Sequence, residues 1–200
     1  MGTRNLACVV LNGEYKLARY CQWDGYPEGQ GMGILEFLRN DFNRPNFEKG
    51  LAKVKEVTDS QLKQMWADVG ADPKNNWVTM DVSEKFKNVH PELSRDPAHN
   101  IILKGIQEGT VKWSHSDLNF AADSLFCEWC YVIDLDKGTF EIYKGFNQSP
   151  LDPSERFANL PLREKAGNGE QYYPVRLVKK YSLRRLPSPK TFLRDTKSRE

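Results

Sequence analysis

Asn5-Leu6-Ala7-Cys8-Val9-Val10-Leu11-Asn12-Gly13-Glu14-Tyr15-Lys16-Leu17-Ala18-Arg19-Tyr20-Cys21 reads as a β-hairpin. Residues 5–11 are apolar and β-prone, and Asn12-Gly13 is the pair that a type I′ turn requires. Residues 14–22 return as a strand in which Leu17 and Arg19 alternate with Lys16, Ala18 and Tyr20, the pattern of a half-buried strand. A second hairpin lies far downstream: residues 125–134, an Asp136-Lys137-Gly138 turn and residues 139–144. Residues 173–181 read as a last strand. Helical patterns fall between these strands, over residues 34–38, 47–57, 59–69 and 98–107, with one turn at 85–89. Strands at both ends with helices in the middle predict an α+β fold, an antiparallel sheet covered by a helical layer. The expected organisation is one domain over residues 1–181, followed by a basic, proline-containing tail over 182–200. No internal repeat or low-complexity segment interrupts it.

Two hundred residues suffice to bury a core, and 39% hydrophobic with 28% charged residues is ordinary for a globular chain. The aromatic share of 12%, with five Trp and eight Tyr, suits a large core or an adhesive pocket. No apolar run approaches the roughly 20 residues that span a bilayer. The start lacks the basic-then-apolar pattern of a secretion signal, so a cytoplasmic location and no membrane partner are expected. Four cysteines do not make a disulfide framework. Cys127-Glu128-Trp129-Cys130 matches C-x-x-C, but on a strand running from 124 to 135 the two sulfurs diverge, and no second pair completes a zinc site. No metal and no cofactor are expected.

Charge is uneven. Residues 174–200 hold nine Lys/Arg against two acids, whereas the other 173 residues hold 20 basic and 25 acidic groups. A basic end on an acidic body is either a solvated tail or a nucleic-acid footprint, with Lys179, Lys180, Arg184 and Arg185 as its candidate contacts. Pro187 and Pro189 argue for a draped segment rather than a helix.

The segment after the first hairpin, Cys21-Gln22-Trp23-Asp24-Gly25-Tyr26-Pro27-Glu28-Gly29-Gln30-Gly31, is the candidate working site. Its glycines allow sharp turns and close approach, yet it is neither a Walker loop nor a dinucleotide fingerprint. Trp23 and Tyr26 beside Asp24 suit a planar cation that stacks on aromatics while a carboxylate accepts its hydrogen bonds. The plain alternative is a structural loop with its aromatics in the core. Thr3, Arg4, Gln22, Glu28 and Gln30 are further candidate substrate contacts.

Glu128 sits between apolar neighbours. It is a specificity carboxylate, a general base, or the partner of a structural arginine such as Arg4. Cys21 is the candidate nucleophile, with His115 in Ser114-His115-Ser116-Asp117 as its activating base if the fold unites them. Thr3 qualifies as an N-terminal nucleophile only after loss of both Met1 and Gly2. His90 and His99, each near a proline, read as surface residues.

The opening Gly2-Thr3-Arg4-Asn5-Leu6, the Asn12–Lys16 turn and residues 21–31 resemble a widespread group of small fungal proteins with more distant bacterial and phage members. Ala122–Trp129 and Ile133–Glu141 resemble the fungal members too. Through them the chain is similar to the fungal arginine-containing cyclodipeptide synthases. That resemblance implies aminoacyl-tRNA, arginyl-tRNA in particular, as substrate and a diketopiperazine as product. It carries no assignment of catalytic residues. Two other classes stay open: a Cys- or N-terminal-nucleophile hydrolase or amidotransferase-like enzyme, and a non-catalytic module for a small cationic or nucleotide ligand.

Overall fold

A computed structural model describes residues 2–197, apart from 73, 76 and 168. In chain order the strands are β1 (Asn5–Leu11), β2 (Glu14–Cys21), β3 (Lys55–Glu56), β4 (Trp113–Ser114), β5 (Trp129–Asp134), β6 (Thr139–Lys144) and β7 (Arg176–Ser182). The helices are α1 (Met32–Glu36), α2 (Arg44–Leu51), α3 (Asp59–Asp68), α4 (Met80–Val89), α5 (His99–Glu108) and α6 (Pro189–Thr196). π-helical turns at Pro27–Gly31 and Phe37–Asp41 extend α1 at both ends. The fold is α+β. No helix among the described residues is long and apolar enough to cross a membrane.

Five strands form one sheet in the order β2-β1-β5-β6-β7. Both hairpins form as their sequences dictate. Asn12 and Gly13 adopt φ of 57° and 76°, the left-handed pair of a type I′ turn. The Asp136 carboxylate, in the other hairpin's turn, accepts from the Asn12 and Gly13 amides at 2.8 Å each. The hairpins meet through β1 and β5, which pair in parallel with Leu6 opposite Cys130. Parallel neighbours need a long crossover, and residues 22–128 supply it.

Side-chain alternation splits the sheet into two faces. Ala7, Val9, Tyr131, Ile133, Phe140 and Ile142 pack against helical residues such as Ile34, Leu35, Phe47, Leu103 and Ile106. On the opposite face Leu6, Cys8, Val10, Cys130 and Val132 lie under Ala121, Phe157 and Val175. That second layer is built without long helices, from the 3-10 turn Leu118–Ala122 and the segment 150–175. Arg156 pins the segment: its guanidinium bonds the Asp134 carboxylate at 2.5 Å and Glu141 at 2.8 Å.

Several expectations are corrected. Residues 182–197 are not a draped tail. Pro189 occupies the first turn of α6, where its missing N–H is harmless, Ser188 caps the helix, and Phe192 is fully buried in the core. Burying one such ring stabilises by about 1.5–3 kcal/mol. The strand expected from 125 starts only at Trp129, because the amides of Phe126 and Cys127 turn back onto the Asp123 carbonyl. Cys127 and Cys130 therefore do not diverge; they share one buried cluster with Cys8. All four cysteines are free thiols, and burial pushes the thiols of Cys127 and Cys130 well up. The helix expected over 47–57 begins at Arg44, capped by Asn43, and ends at Leu51 before β3. Thr58, rather than Asp59 or Ser60, caps α3 in a reciprocal capping box with Gln61. The single turn expected at 85–89 is a ten-residue helix, α4.

Candidate functional site

The loop after β2 is held from beneath by Asn5, which is fully buried. Its Nδ2 donates to the carbonyls of Thr3 (3.2 Å), Cys21 (3.1 Å) and Trp23 (3.2 Å). Gln30 closes the loop from the other end, its Nε2 donating to the Trp23 carbonyl at 3.2 Å and its backbone amide to the Asp24 carbonyl at 2.8 Å. Tyr131 adds a third anchor through its hydroxyl, which donates to the Gly25 carbonyl at 2.7 Å. Such close backbone contacts require glycine at two places. A Cβ on Gly25 would stand 2.6 Å from the Thr3 carbonyl oxygen, and one on Gly29 2.3 Å from that of Asp24. Asp24 itself turns at φ 54°, the left-handed region that Asp tolerates better than most residues.

Behind Asn5 lies a polar chain absent from any sequence motif. Asn5 Oδ1 meets His99 Nε2 at 2.7 Å, and Arg19 Nη1 meets His99 Nδ1 at 3.2 Å. A guanidinium can only donate, so Nδ1 accepts, and the imidazole is the neutral Nε2–H tautomer donating to Asn5. Burial first, then the charge of Arg19, holds the His99 pKa well below its ordinary value. The His99 backbone amide donates to Gln30 Oε1 at 2.9 Å, so α5 starts on the loop it supports. The expectation that His99 is a surface residue is thus wrong: its ring is 1% exposed. Arg19 continues the chain to the Ser94 carbonyl at 2.6 Å.

In front of the loop, at the end of the sheet where β5 begins and β6 ends, opens a cleft of about 320 Å³. Tyr26, Glu28, Glu128, Trp129, Lys144 and Phe146 line it, together with Pro27 and the end of α6. Glu128 lies one residue before β5 and is half-buried. Its Oε1 accepts from the Arg4 backbone amide at 3.3 Å, and its own amide donates to the Arg4 carbonyl at 3.1 Å. Of the three roles open to Glu128, pairing with the Arg4 side chain is not seen: the contact is to the Arg4 backbone. The Lys144 ammonium lies 5.9 Å from the centre of the Trp129 ring. Phe146 is held at φ 55°, a genuine outlier for a bulky residue, and remains 54% exposed. Holding a non-glycine residue there costs about 1–2 kcal/mol. The amides of Phe146 and Asn147 impose it by bonding Ser124, at 2.7 Å and 3.1 Å. A wider groove of about 450 Å³ runs between residues 33–41 and α5, but it takes in none of the loop's candidate residues.

The structure sorts the other candidates. Asp24 is exposed on the loop and does not line the cleft; Glu28, four residues on, supplies the second carboxylate. Trp23 is turned aside, its Nε1 donating to Asp96 at 3.0 Å. Gln22 accepts from the Tyr20 hydroxyl, and Thr3 is buried as a loop anchor. Cys21 and His115 are not brought together as nucleophile and base. The Cys21 thiol is fully buried against the Trp23 and Pro97 carbonyls and Gln30, whereas His115 sits between Asp59 (2.8 Å) and Asp117 (3.2 Å). Burial draws the His115 pKa down, but hydrogen bonds and charge from Asp59 and Asp117 outweigh it and leave the pKa raised.

The candidate nucleic-acid contacts lie on and just beyond β7, the outermost strand. Lys180, Arg184 and Arg185 are exposed, whereas Lys179 pairs with Asp195 at 3.1 Å. Arg4, on the face opposite the helices, has its guanidinium 4.5 Å from the centre of the Phe126 ring. Its Nε is shut off from solvent and has no hydrogen-bond partner, a condition that costs about 1–3 kcal/mol.

No cluster of metal-ligating side chains occurs among the described residues. What the cleft offers is two carboxylates, two lysines and three aromatic rings around one hollow, suited to a ligand that carries both charges and a flat or apolar part. No family model, no curated protein and no solved structure matches the chain.

Proposed function

We propose that the protein is an aminoacyl-tRNA-dependent cyclodipeptide synthase that takes arginine from arginyl-tRNA and works in the cytoplasm. The observation that carries this reading is the convergence of Glu28 and Glu128 on one aromatic-walled cleft. A guanidinium leaving water needs charge-matched acceptors and flat surfaces, and carboxylates beside Tyr26, Trp129 and Phe146 are of that kind. The resemblance of residues 2–6, 12–16 and 21–31 to the fungal arginine-containing synthases points the same way.

The reaction asks little of the protein beyond positioning. The α-amine of one aminoacyl group attacks the ester carbonyl of the other. A C–N bond forms, the ester C–O bond breaks, and the terminal ribose hydroxyl leaves with a proton. Repetition of the step within the dipeptidyl ester closes the six-membered ring and frees the second tRNA. Both esters are already activated, so no nucleoside triphosphate is consumed. In this reading Glu128 takes the proton from the attacking amine, the bond from the Arg4 amide keeping its carboxylate oriented. Glu28 and the rings hold the guanidinium. The burial of Cys21 away from His115 favours direct aminolysis over a covalent enzyme intermediate.

The test is expression in a bacterial host, followed by mass spectrometry for arginine-containing diketopiperazines. Glu28→Gln and Glu128→Gln are expected to lower the yield by at least about 100-fold while preserving the melting temperature, the loss typical of a removed charge partner or proton acceptor. A folded wild-type protein that yields no such product, in cells or with purified arginyl-tRNA, overturns the reading.

A further inference from the structure

Arg4 stands out because its guanidinium is placed but not used. Phe126 backs one side of it, Nε is buried with no acceptor, and no carboxylate pairs with it among the described residues. An arginine whose only role was structural would direct its buried N–H groups at carbonyls, as Arg19 does at Ser94. Arg95 lines a pocket together with Tyr20, and the charges of Arg4 and Arg95 both oppose the rise that burial gives the Tyr20 pKa. The position is joined to the cleft, since the backbone of Arg4 is bonded on both sides of Glu128. Glu128 thus stands between the cleft and Arg4, so a ligand with its cationic end on Glu28 can extend past Glu128 toward a guanidinium that no carboxylate pairs among the described residues.

We infer that Arg4, backed by Phe126 and assisted by Arg95, is the subsite for the phosphodiester at the 3′ end of the aminoacyl-tRNA donor. This rests on the synthase reading above. An aminoacyl ester joins an amino acid to a terminal ribose whose nearest anion is the phosphate on its 5′ side. The substrate thus presents a cation and an anion at opposite ends of one short unit. Phe126, 43% exposed, also offers a ring edge on which a base can pack. Guanidinium groups bind phosphates through paired N–H bonds, so the planar fork and not merely the charge is required.

The probe is a fluorescein-labelled CCA trinucleotide titrated with the full chain at low salt and read by anisotropy. Wild type is expected to saturate. Arg4→Gln should weaken binding by about tenfold or more with a melting temperature no lower than wild type, and Arg4→Lys should recover only part of the loss. Phe126→Leu, at an exposed position, should weaken binding several-fold and keeps the test informative if Arg4 variants fold poorly. Wild-type affinity in both Arg4→Gln and Phe126→Leu overturns the subsite, as does a wild type that does not bind CCA. Inorganic phosphate that binds in an Arg4-dependent way while CCA does not overturns the nucleotide assignment. Diketopiperazine formed at the wild-type rate by Arg4→Gln overturns the subsite alone. CCA bound through Arg4 by a protein that never forms product overturns the synthase reading alone.

Discussion

Replacing Asn5 with leucine, nearly its equal in shape, should unlock the loop without disturbing the hairpin. The carboxamide serves three backbone carbonyls through two protons and accepts the His99 Nε2–H at 2.7 Å. Thr3 and Trp23 keep other donors, Gly25 N and Gln30 Nε2, so the loss on that side is modest, about 0.5–1.5 kcal/mol for each of two bonds. The imidazole N–H is left buried and unpaired, at about 1–3 kcal/mol more. The sum is roughly 4 kcal/mol. With a urea slope of ~2 kcal/mol/M, the midpoint should fall by about 2 M with the slope unchanged. Asn5→Leu and His99→Leu combined should then cost at least ~1 kcal/mol less than the two single losses added. A loss below ~1 kcal/mol for Asn5→Leu, or singles that add to within ~0.5 kcal/mol, refutes the idea that one carboxamide organises this loop.

Two further expectations concern charge. The folded-state pKa of His99 is depressed, so the unfolded chain gains protons first as pH falls; stability tied to His99 is present above about 6.5 and lost below it. His115 runs the opposite way, its raised pKa giving stability present below about 6.5 and lost as pH rises through the folded value. Chemical denaturation from pH 5 to 8 should show a flatter acid limb in His99→Gln and a flatter neutral limb in His115→Gln; unaltered slopes refute the assignments. Arg156→Met leaves Asp134 and Glu141 buried without their counter-charge, at about 3–5 kcal/mol. Melting should reveal that loss, with early proteolysis in 150–175; a variant as stable and resistant as wild type shows that the segment is held by packing alone.

What the chain reveals when read linearly follows from range. Asn12-Gly13 and Asp136-Lys137-Gly138 are local signals, and both hairpin turns form where they are expected. Pairing of β1 with β5 links residues about 120 positions apart, and nothing nearby records whether they run parallel. His99 misleads for the same reason: Pro97 beside it reads as surface loop, while its ring partners, Asn5 and Arg19, lie 94 and 80 residues away. The loop is legible in the sequence as a candidate site, but which of its carboxylates faces the cleft is not, because that depends on the left-handed turn at Asp24. The helix at 189–196 did leave a signal. Ser188-Pro189 followed by Thr191 is a capped helix start, and Pro189 belongs there as an initiator rather than a breaker.

The parallel pairing at the centre of the sheet also sets the order in which the chain can become a protein. On a ribosome the first hairpin is complete once residue 21 emerges, yet the inner edge of β1 has no partner until β5 follows, ending at Asp134. At ~5–20 residues per second that interval lasts roughly 5–25 s. Throughout it Leu6, Cys8 and Val10 on one side and Ala7 and Val9 on the other stand beside an open row of amides and carbonyls. Nascent chains arrested between residues 30 and 130 are therefore the species that should recruit chaperones, and release beyond residue 144 the event that dismisses them.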